Sequence, residues 1–153
     1  RALGNRRLLA RADSLKIAQY VSRQLKNREW YRPLAPVMVE KNLAHFTDVS
    51  EAPVVSRYML TEFLIRPDRR AEIKGAVHVD GSSRIQTIGS REENPFLYDL
   101  LLILEKHYGI RALLNTSFNS KGMPLVHTLR DALIEARIMG IGHVVVNGRL
   151  REV

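Results

Sequence analysis

The feature that most constrains the fold is a helical pattern that leads directly into an apolar strand. Pro95 precedes a segment with apolar residues at helical spacing, Phe96 to Tyr108, and Gly109 follows it. Proline suits the first turn of a helix, and glycine readily adopts the left-handed conformation that closes the last turn. The next segment, Arg111 to Thr116, is apolar enough for a buried strand. This order is typical of domains that combine helices with a sheet.

Similar signals define the other predicted elements. Ser14 is a predicted N-cap for a helix that ends before Arg32 and Pro33, and Thr128 with Asp131 approximates a capping box for a last helix ending near Gly140. Strands are predicted at 36–39, 54–63 and 143–146, with a hairpin at 75–86 and a turn at 147–148. Strands that alternate with three helices predict an α/β (α+β) domain.

Length and composition favour a single domain over residues 1–153. The chain has 153 residues, no cysteine and a formal net charge of +8. No apolar run approaches the roughly 18 residues that span a bilayer, so no membrane partner is predicted and a cytoplasmic location is expected by default. The positive charge predicts attraction to anions such as nucleotides, phosphorylated metabolites or nucleic acid.

Two short motifs indicate the chemistry. Lys26-Asn27-Arg28 supplies fixed positive charge, and Ser117-Phe118-Asn119 supplies a hydroxyl and an amide. In each motif the outer residues are at i and i+2, which project to the same side of an extended backbone. Phe118 is then predicted to point into the core. Cations combined with neutral hydrogen-bonding groups suit a site that binds phosphates and positions them for transfer.

Each motif also has a simpler interpretation. Lys26 and Arg28 could be a solvated pair at a helix end, and the Asn, Thr and Ser residues of 115–119 could only build a turn. Arg32 extends the first motif, and Arg84 is the residue of the predicted hairpin expected to bind an anion. A nucleophilic role for Ser117 is disfavoured, because no base is adjacent in the sequence.

A metal site is not predicted. His78 and Asp80 have a spacing that metal ligands can have, but two residues do not make a site, and the other histidines form no recognisable set. The basic group Arg66, Arg69 and Arg70 is interpreted as a solvated loop.

Four motifs in order resemble a known family. They are RALGNR at the start, KNREWYRPLAP, HVDGSSRIQT, and NTSFN followed by KGMP. Together they resemble the C-terminal domain of the NodU/CmcH-type O-carbamoyltransferases, over nearly the whole chain. The resemblance implies a YrdC-like fold, which is a twisted mixed sheet with flanking helices around a basic cavity.

The resemblance also implies an activity and a site. This domain would use ATP, with Mg²⁺, and carbamoyl phosphate to form carbamoyl-adenylate. An N-terminal actin-like lobe of the same longer protein, with its own metal, would then transfer the carbamoyl group to an acceptor hydroxyl. The residues implied to act in catalysis are Lys26, Arg28, Ser117 and Asn119. Those implied to bind ATP or substrate are Arg1, Arg32, Arg84, Asn115 and Thr116.

The chain departs from the family pattern at a few positions, and other interpretations stay open. Leu34, Arg7, Met123 and His127 differ from the usual residues there. The main alternative function is a basic module that binds RNA without forming an adenylate, although the cations are split among motifs rather than gathered in one stripe. A third interpretation is a domain that docks on its neighbour but no longer turns over.

Overall fold

The structure is a computed structural model that describes residues 4–29 and 32–153. Within these residues the strands are β1 (Arg7–Arg11), β2 (Ala35–Val39), β3 (Phe63–Leu64), β4 (Ser82–Ser83), β5 (Gln86–Ile88), β6 (Leu113–Ser117), β7 (His143–Val146) and β8 (Arg149–Glu152). The α-helices are α1 (Leu15–Gln19), α2 (Leu43–Phe46), α3 (Pro95–Tyr108) and α4 (Leu129–Met139). A π-helical segment (Tyr20–Leu25) continues α1, and 3₁₀ segments cover Glu40–Asn42, Val54–Tyr58 and Pro67–Ile73.

The main sheet has four strands in the order β1-β6-β2-β5. Strand β6 runs antiparallel to both of its neighbours, with Arg7 opposite Ser117 on one side and Ala35 opposite Asn115 on the other. Strand β5 runs parallel to β2. The predicted α/β class, a mixed sheet with flanking helices, is therefore confirmed.

The two faces of this sheet bury separate apolar clusters, because successive strand residues point to opposite sides. Leu113 packs with Leu97 and Leu101 of α3 on one face. Leu114 packs on the other face with residues of α1, its π-helical continuation and the central loops. Helix α3 begins at the N-cap Asn94, whose side chain accepts a hydrogen bond from Leu97 N, and ends at left-handed Gly109, as predicted for this segment.

A third apolar cluster joins the end of β6 to α4 and β7. It contains Phe118, Val126, Ala136, Met139 and Val144. Phe118 is buried, so its predicted inward orientation is confirmed. Helix α4 has the predicted capping box and ends at Gly140, and the predicted turn at 147–148 joins the last two strands. These elements anchor the segment that follows β6.

Two predicted elements are wrong. Residues 75–86 do not form a local hairpin, because β4 pairs with β3 and β5 pairs with β2. Residues 54–63 are mostly a 3₁₀ segment and a loop. In both segments the strand partners are distant in sequence. The apolar alternation does not mark a buried strand face, because Val54, Leu60 and Val79 are exposed.

The described residues contain no helix that is both long and apolar enough to cross a membrane.

Candidate functional site

The first motif sits at the end of the π-helical segment, where the chain reverses sharply. Lys26 N donates to Val21 O at 3.1 Å, and Arg28 N donates to Ser22 O at 2.9 Å. Asn27 between them is left-handed, with φ of 44°. Asparagine tolerates this conformation better than most residues. The prediction that Lys26 and Arg28 share one side of an extended backbone is therefore wrong, because Lys26 is helical and Asn27 is left-handed.

The second motif binds Lys26 directly. Lys26 Nζ donates to Ser117 O at 2.8 Å, to Ser117 Oγ at 3.3 Å and to Asn119 Oδ1 at 2.7 Å, and it also contacts Asn119 O. An ammonium has three N–H donors, so four oxygens more than satisfy it. Lys26 is only 3% exposed. The two sequence motifs therefore form one structural unit.

Side chains around this unit hold the segment after β6 in place. Ser117 Oγ donates to Asn119 Oδ1 at 2.6 Å, and Asn119 Nδ2 donates to Met123 O at 2.5 Å. Glu135 of α4 is buried and accepts from Ser120 N at 2.9 Å and from Ser120 Oγ. A buried carboxylate needs such partners to offset its desolvation. Helix α4 thus fixes the turn that carries Asn119.

Further arginines lie near Lys26 or near Arg28. The positive charges of Arg32 and Arg84 repel that of Arg28, and the positive charge of Arg7 repels that of Lys26. Arg32 is exposed and pairs with Glu29 at 3.7 Å, a surface ion pair that contributes little to stability. Arg84 is also exposed. The structure therefore groups Arg7 of β1 with Lys26, Arg28 and Arg32, and with Arg84 between β4 and β5.

Burial and the neighbouring positive charges lower the pKa values of Lys26 and Arg28, as expected when buried cations lie close together. Burial, with the nearby charges of Arg28 and Arg7, lowers the pKa of Lys26 to about 8, although the Glu135 carboxylate acts in the opposite direction. Burial, followed by repulsion from Arg32 and Arg84, also lowers the pKa of Arg28. Such a concentration of positive charge is relieved by an anion. An electropositive group of this kind suits a polyphosphate ligand.

The face of β6 that carries Ser117 also carries Asn115 and faces Arg7 on β1. Asn115 is buried, and its Nδ2 donates to Gln86 Oε1. Burial and the charge of Arg6 lower the pKa of Arg7. Strand alternation places Thr116 on the opposite face, away from this unit. Of the predicted binding residues, Arg1 lies outside the described part of the chain.

Sequence reasoning missed Glu135 and treated Arg7 only as a departure from the family pattern. Glu135 stands at a helical position between Ala132 and Met139, which both pack in the α4 cluster. An acidic residue on the apolar face of an amphipathic helix is the signal that could have identified it. Nothing local in the sequence places Arg7 opposite Ser117, because that pairing joins distant strands.

His78 and Asp80 build a turn. His78 Nδ1 contacts Ser82 Oγ at 3.0 Å, and Asp80 Oδ1 accepts from Ser82 N at 2.8 Å. Among residues 4–29 and 32–153, no group of three or more His, Cys, Asp or Glu side chains could hold a metal ion.

Comparisons with known proteins match nearly the whole chain. A family described as Carbamoyltransferase C-terminus matches residues 1–152. Nodulation protein U of Rhizobium tropici is 39% identical over 150 residues, which are 98% of this chain and 25% of that protein. Nodulation protein NolO of Bradyrhizobium diazoefficiens is 35% identical over 135 residues, or 87% of this chain and 24% of that protein.

A third relative carries an enzymatic name. The 3'-hydroxymethylcephem-O-carbamoyltransferase of Amycolatopsis lactamdurans is 33% identical over 147 residues, which are 95% of this chain and 27% of that protein. The chain thus spans about a quarter of the length of the relatives it matches.

Proposed function

Because this chain belongs to the family of carbamoyltransferase C-terminal domains, we propose that it takes part in O-carbamoylation by activating carbamoyl phosphate with ATP. The product of this step is carbamoyl-adenylate. A lobe of the longer protein outside this chain then transfers the carbamoyl group to an acceptor hydroxyl. The enzymatic name of the Amycolatopsis relative supports the overall reaction.

The observation that carries the proposal is the unit made by Lys26 with Ser117 and Asn119. A buried ammonium holds both residues of the second motif. Burial lowers its pKa, the charges of Arg28 and Arg7 are close enough to lower it further, and the Glu135 carboxylate acts against them. Charged hydrogen bonds of this kind each contribute roughly 1.5–3 kcal/mol. This donor set fits the α-, β- and γ-phosphates of ATP better than it fits a neutral ligand.

The residues divide into three roles. The protein oxygens already satisfy Lys26, so it holds the turn and lends its charge. Arg28, Arg32 and Arg84 have fewer internal partners and make the direct phosphate contacts, for which a planar guanidinium is well suited. Ser117 and Asn119 hold the turn that orients the reacting phosphate, to which Asn119 Nδ2 donates its second hydrogen.

The chemistry needs alignment and charge neutralisation more than a protein base. Water first cleaves carbamoyl phosphate to carbamate and inorganic phosphate. A carbamate oxygen then attacks the α-phosphorus of ATP, and the bond to pyrophosphate breaks as the new P–O bond forms. Cations near the phosphates stabilise the charge that develops on their oxygens. Mg²⁺ would be bound mainly by phosphate oxygens and water, because the described residues offer it no cluster of ligands.

Pyrophosphate release from ATP and Mg²⁺, with and without carbamoyl phosphate, tests this proposal. We expect release that depends on carbamoyl phosphate in the unmodified chain and in Lys16→Met, which removes an exposed lysine of α1. We expect at least a 100-fold loss in Lys26→Met, since the turn and its charge are both removed.

Two results would contradict the proposal. One is a Lys26→Met variant that releases pyrophosphate at the unmodified rate. The other is a chain that neither releases pyrophosphate nor binds ATP. If ATP binds in a Lys26-dependent way without release, the site is supported and chemistry requires the remainder of the longer protein.

A further inference from the structure

A chain of buried amides fixes the orientation of Asn115. The backbone carbonyl of Arg57 can only accept, so the Gln86 side chain turns its Nε2 toward it, at 3.0 Å. Gln86 therefore presents Oε1 to Asn115, which donates to it through Nδ2. Each amide has one donor end and one acceptor end, so Asn115 can present only Oδ1 to its other side.

That remaining oxygen is buried, and no hydrogen-bond partner meets it in the described part of the chain. Buried acceptors in native proteins are nearly always paired, so an unpaired one needs an explanation. Gln86 and Asn115 are each only 2% exposed. The missing partner is a donor that the protein does not supply.

The position of this oxygen relates it to the site already described. Asn115 and Ser117 share one face of β6, separated by about 7 Å along the strand. Asn115 is buried and Ser117 is half-buried. This difference is expected if Asn115 lies at the inner end of a site and Ser117 lies nearer its opening. On the same face, Arg7 lies opposite Ser117, and its Nε is a buried donor that also has no partner. An unpaired acceptor and an unpaired donor are the complement of an amide.

We propose that Asn115 Oδ1 accepts an N–H from the amino group of the carbamoyl moiety, and that Gln86 is the positioning residue that holds Asn115 in this orientation. This inference rests on the proposed function. It adds that the site recognises the amino group, which carbamoyl phosphate has and acetyl phosphate lacks. A methyl in place of the amino group would leave Oδ1 buried and unpaired. Such a loss corresponds to roughly 10- to 100-fold in affinity.

Isothermal titration with two stable phosphonates tests the proposal without requiring turnover. Phosphonoacetamide carries the amino group, and acetonylphosphonate has a methyl in its place. We expect the unmodified chain to prefer phosphonoacetamide by roughly 10- to 100-fold. Asn115→Leu should remove the preference, and Gln86→Met should reduce it toward unity by freeing the Asn115 amide to rotate.

Thr87→Val is the matched control, because it removes a different buried hydrogen bond from β5, the strand that carries Gln86. Thr87 Oγ1 lies 2.6 Å from Ser56 Oγ, and strand alternation turns Thr87 away from the face of Gln86. This variant should keep the preference, which separates recognition from general loss of stability. Thermal unfolding of each variant verifies that it is folded at the titration temperature.

The outcomes distinguish this inference from the proposed function. Equal affinity of the unmodified chain for both phosphonates would overturn the inference and leave the proposed function standing. Binding of neither phosphonate would count against the carbamoyl-phosphate site as a whole. If Asn115→Leu instead abolishes a preference for ATP over inosine triphosphate and leaves the phosphonates unchanged, the oxygen recognises the adenine amino group and the inference is wrong.

Discussion

Lys26 carries a positive charge that its surroundings make easier to lose. Its pKa of about 8, compared with 10.5 for an unperturbed lysine, follows from burial and neighbouring arginines. The unfolded chain binds this proton more tightly than the folded chain does. Lys26 therefore makes stability rise with pH between about 8 and 10.5, and the folded protein loses the ammonium charge as pH rises through about 8.

Glu135 opposes this shift, so we predict that Glu135→Gln lowers the pKa of Lys26 further. The substitution keeps a side-chain oxygen for Ser120 and removes the negative charge that favours the ammonium. A pH titration of the Lys26 Cε resonance by ¹H–¹³C NMR measures the effect. Glu51→Gln, which removes an exposed carboxylate, should leave the Lys26 titration unchanged. If the Lys26 titration midpoint is identical in Glu135→Gln and the unmodified chain, the charge of Glu135 does not affect Lys26 and Glu135 only holds Ser120 in place.

The sequence could predict which residue types meet at this site better than how they meet. Lys26, Ser117 and Asn119 were proposed together from two motifs, and the structure joins them by direct hydrogen bonds. The left-handed turn at Asn27 was not predicted, because a Lys-Asn-Arg sequence is compatible with many backbone conformations. Glu135 was missed although the helical pattern marked its position as buried.

At the scale of elements, the closure of the π-helical segment at Asn27 positions Lys26. We predict that Asn27→Val lowers the free energy of unfolding by about 1–2 kcal/mol, since a β-branched residue is strained at positive φ. The same variant should weaken ATP binding, because Lys26 and Arg28 shift. Asn27→Gly should retain both properties, since glycine adopts this conformation readily. Urea denaturation and ATP titration measure the two effects.

Asn147 offers a matched control for this prediction. It also has a positive φ, of 50°, but lies in the turn between β7 and β8 and not in the turn that carries Lys26. Asn147→Val should cost a similar free energy of unfolding and leave ATP affinity unchanged. Loss of ATP affinity in both variants would mean that general destabilisation, rather than the position of Lys26, accounts for the effect.

The elements with local signals were predicted well, and those that depend on distant partners were not. Helices α3 and α4 begin and end where their caps indicated, because a cap is a contact between near neighbours. The segment 75–86 was predicted as a hairpin from its alternation and its turn residues. Its strands pair elsewhere in the fold, and single-sequence patterns carry no information on such partners.

At the scale of the whole molecule, the net charge of +8 would also attract nucleic acid. We predict that Arg84→Ala lowers ATP affinity by roughly tenfold or more, through loss of a charged hydrogen bond, whereas Arg149→Ala on exposed β8 has no effect. Binding to single-stranded RNA should be weak and steeply salt-dependent, and both variants should reduce it equally. RNA binding that depends on Arg84 alone, in a chain that does not bind ATP, would support the nucleic-acid alternative.

The order of strands in the main sheet has a consequence for how the protein acquires its structure. Among the residues that the structure describes, β1 pairs only with β6 in this sheet, so Arg7 cannot pair until Ser117 is present. Strand β2 likewise needs both β5 and β6. Contacts between distant positions form only after long loops close. The chain loses conformational entropy in that closure before the contacts stabilise it, and this slows folding. During synthesis the ribosome must therefore deliver most of the chain before the central sheet can assemble. Lys26 and Ser117 are 91 residues apart, so their contact can form only after that whole interval has been synthesised.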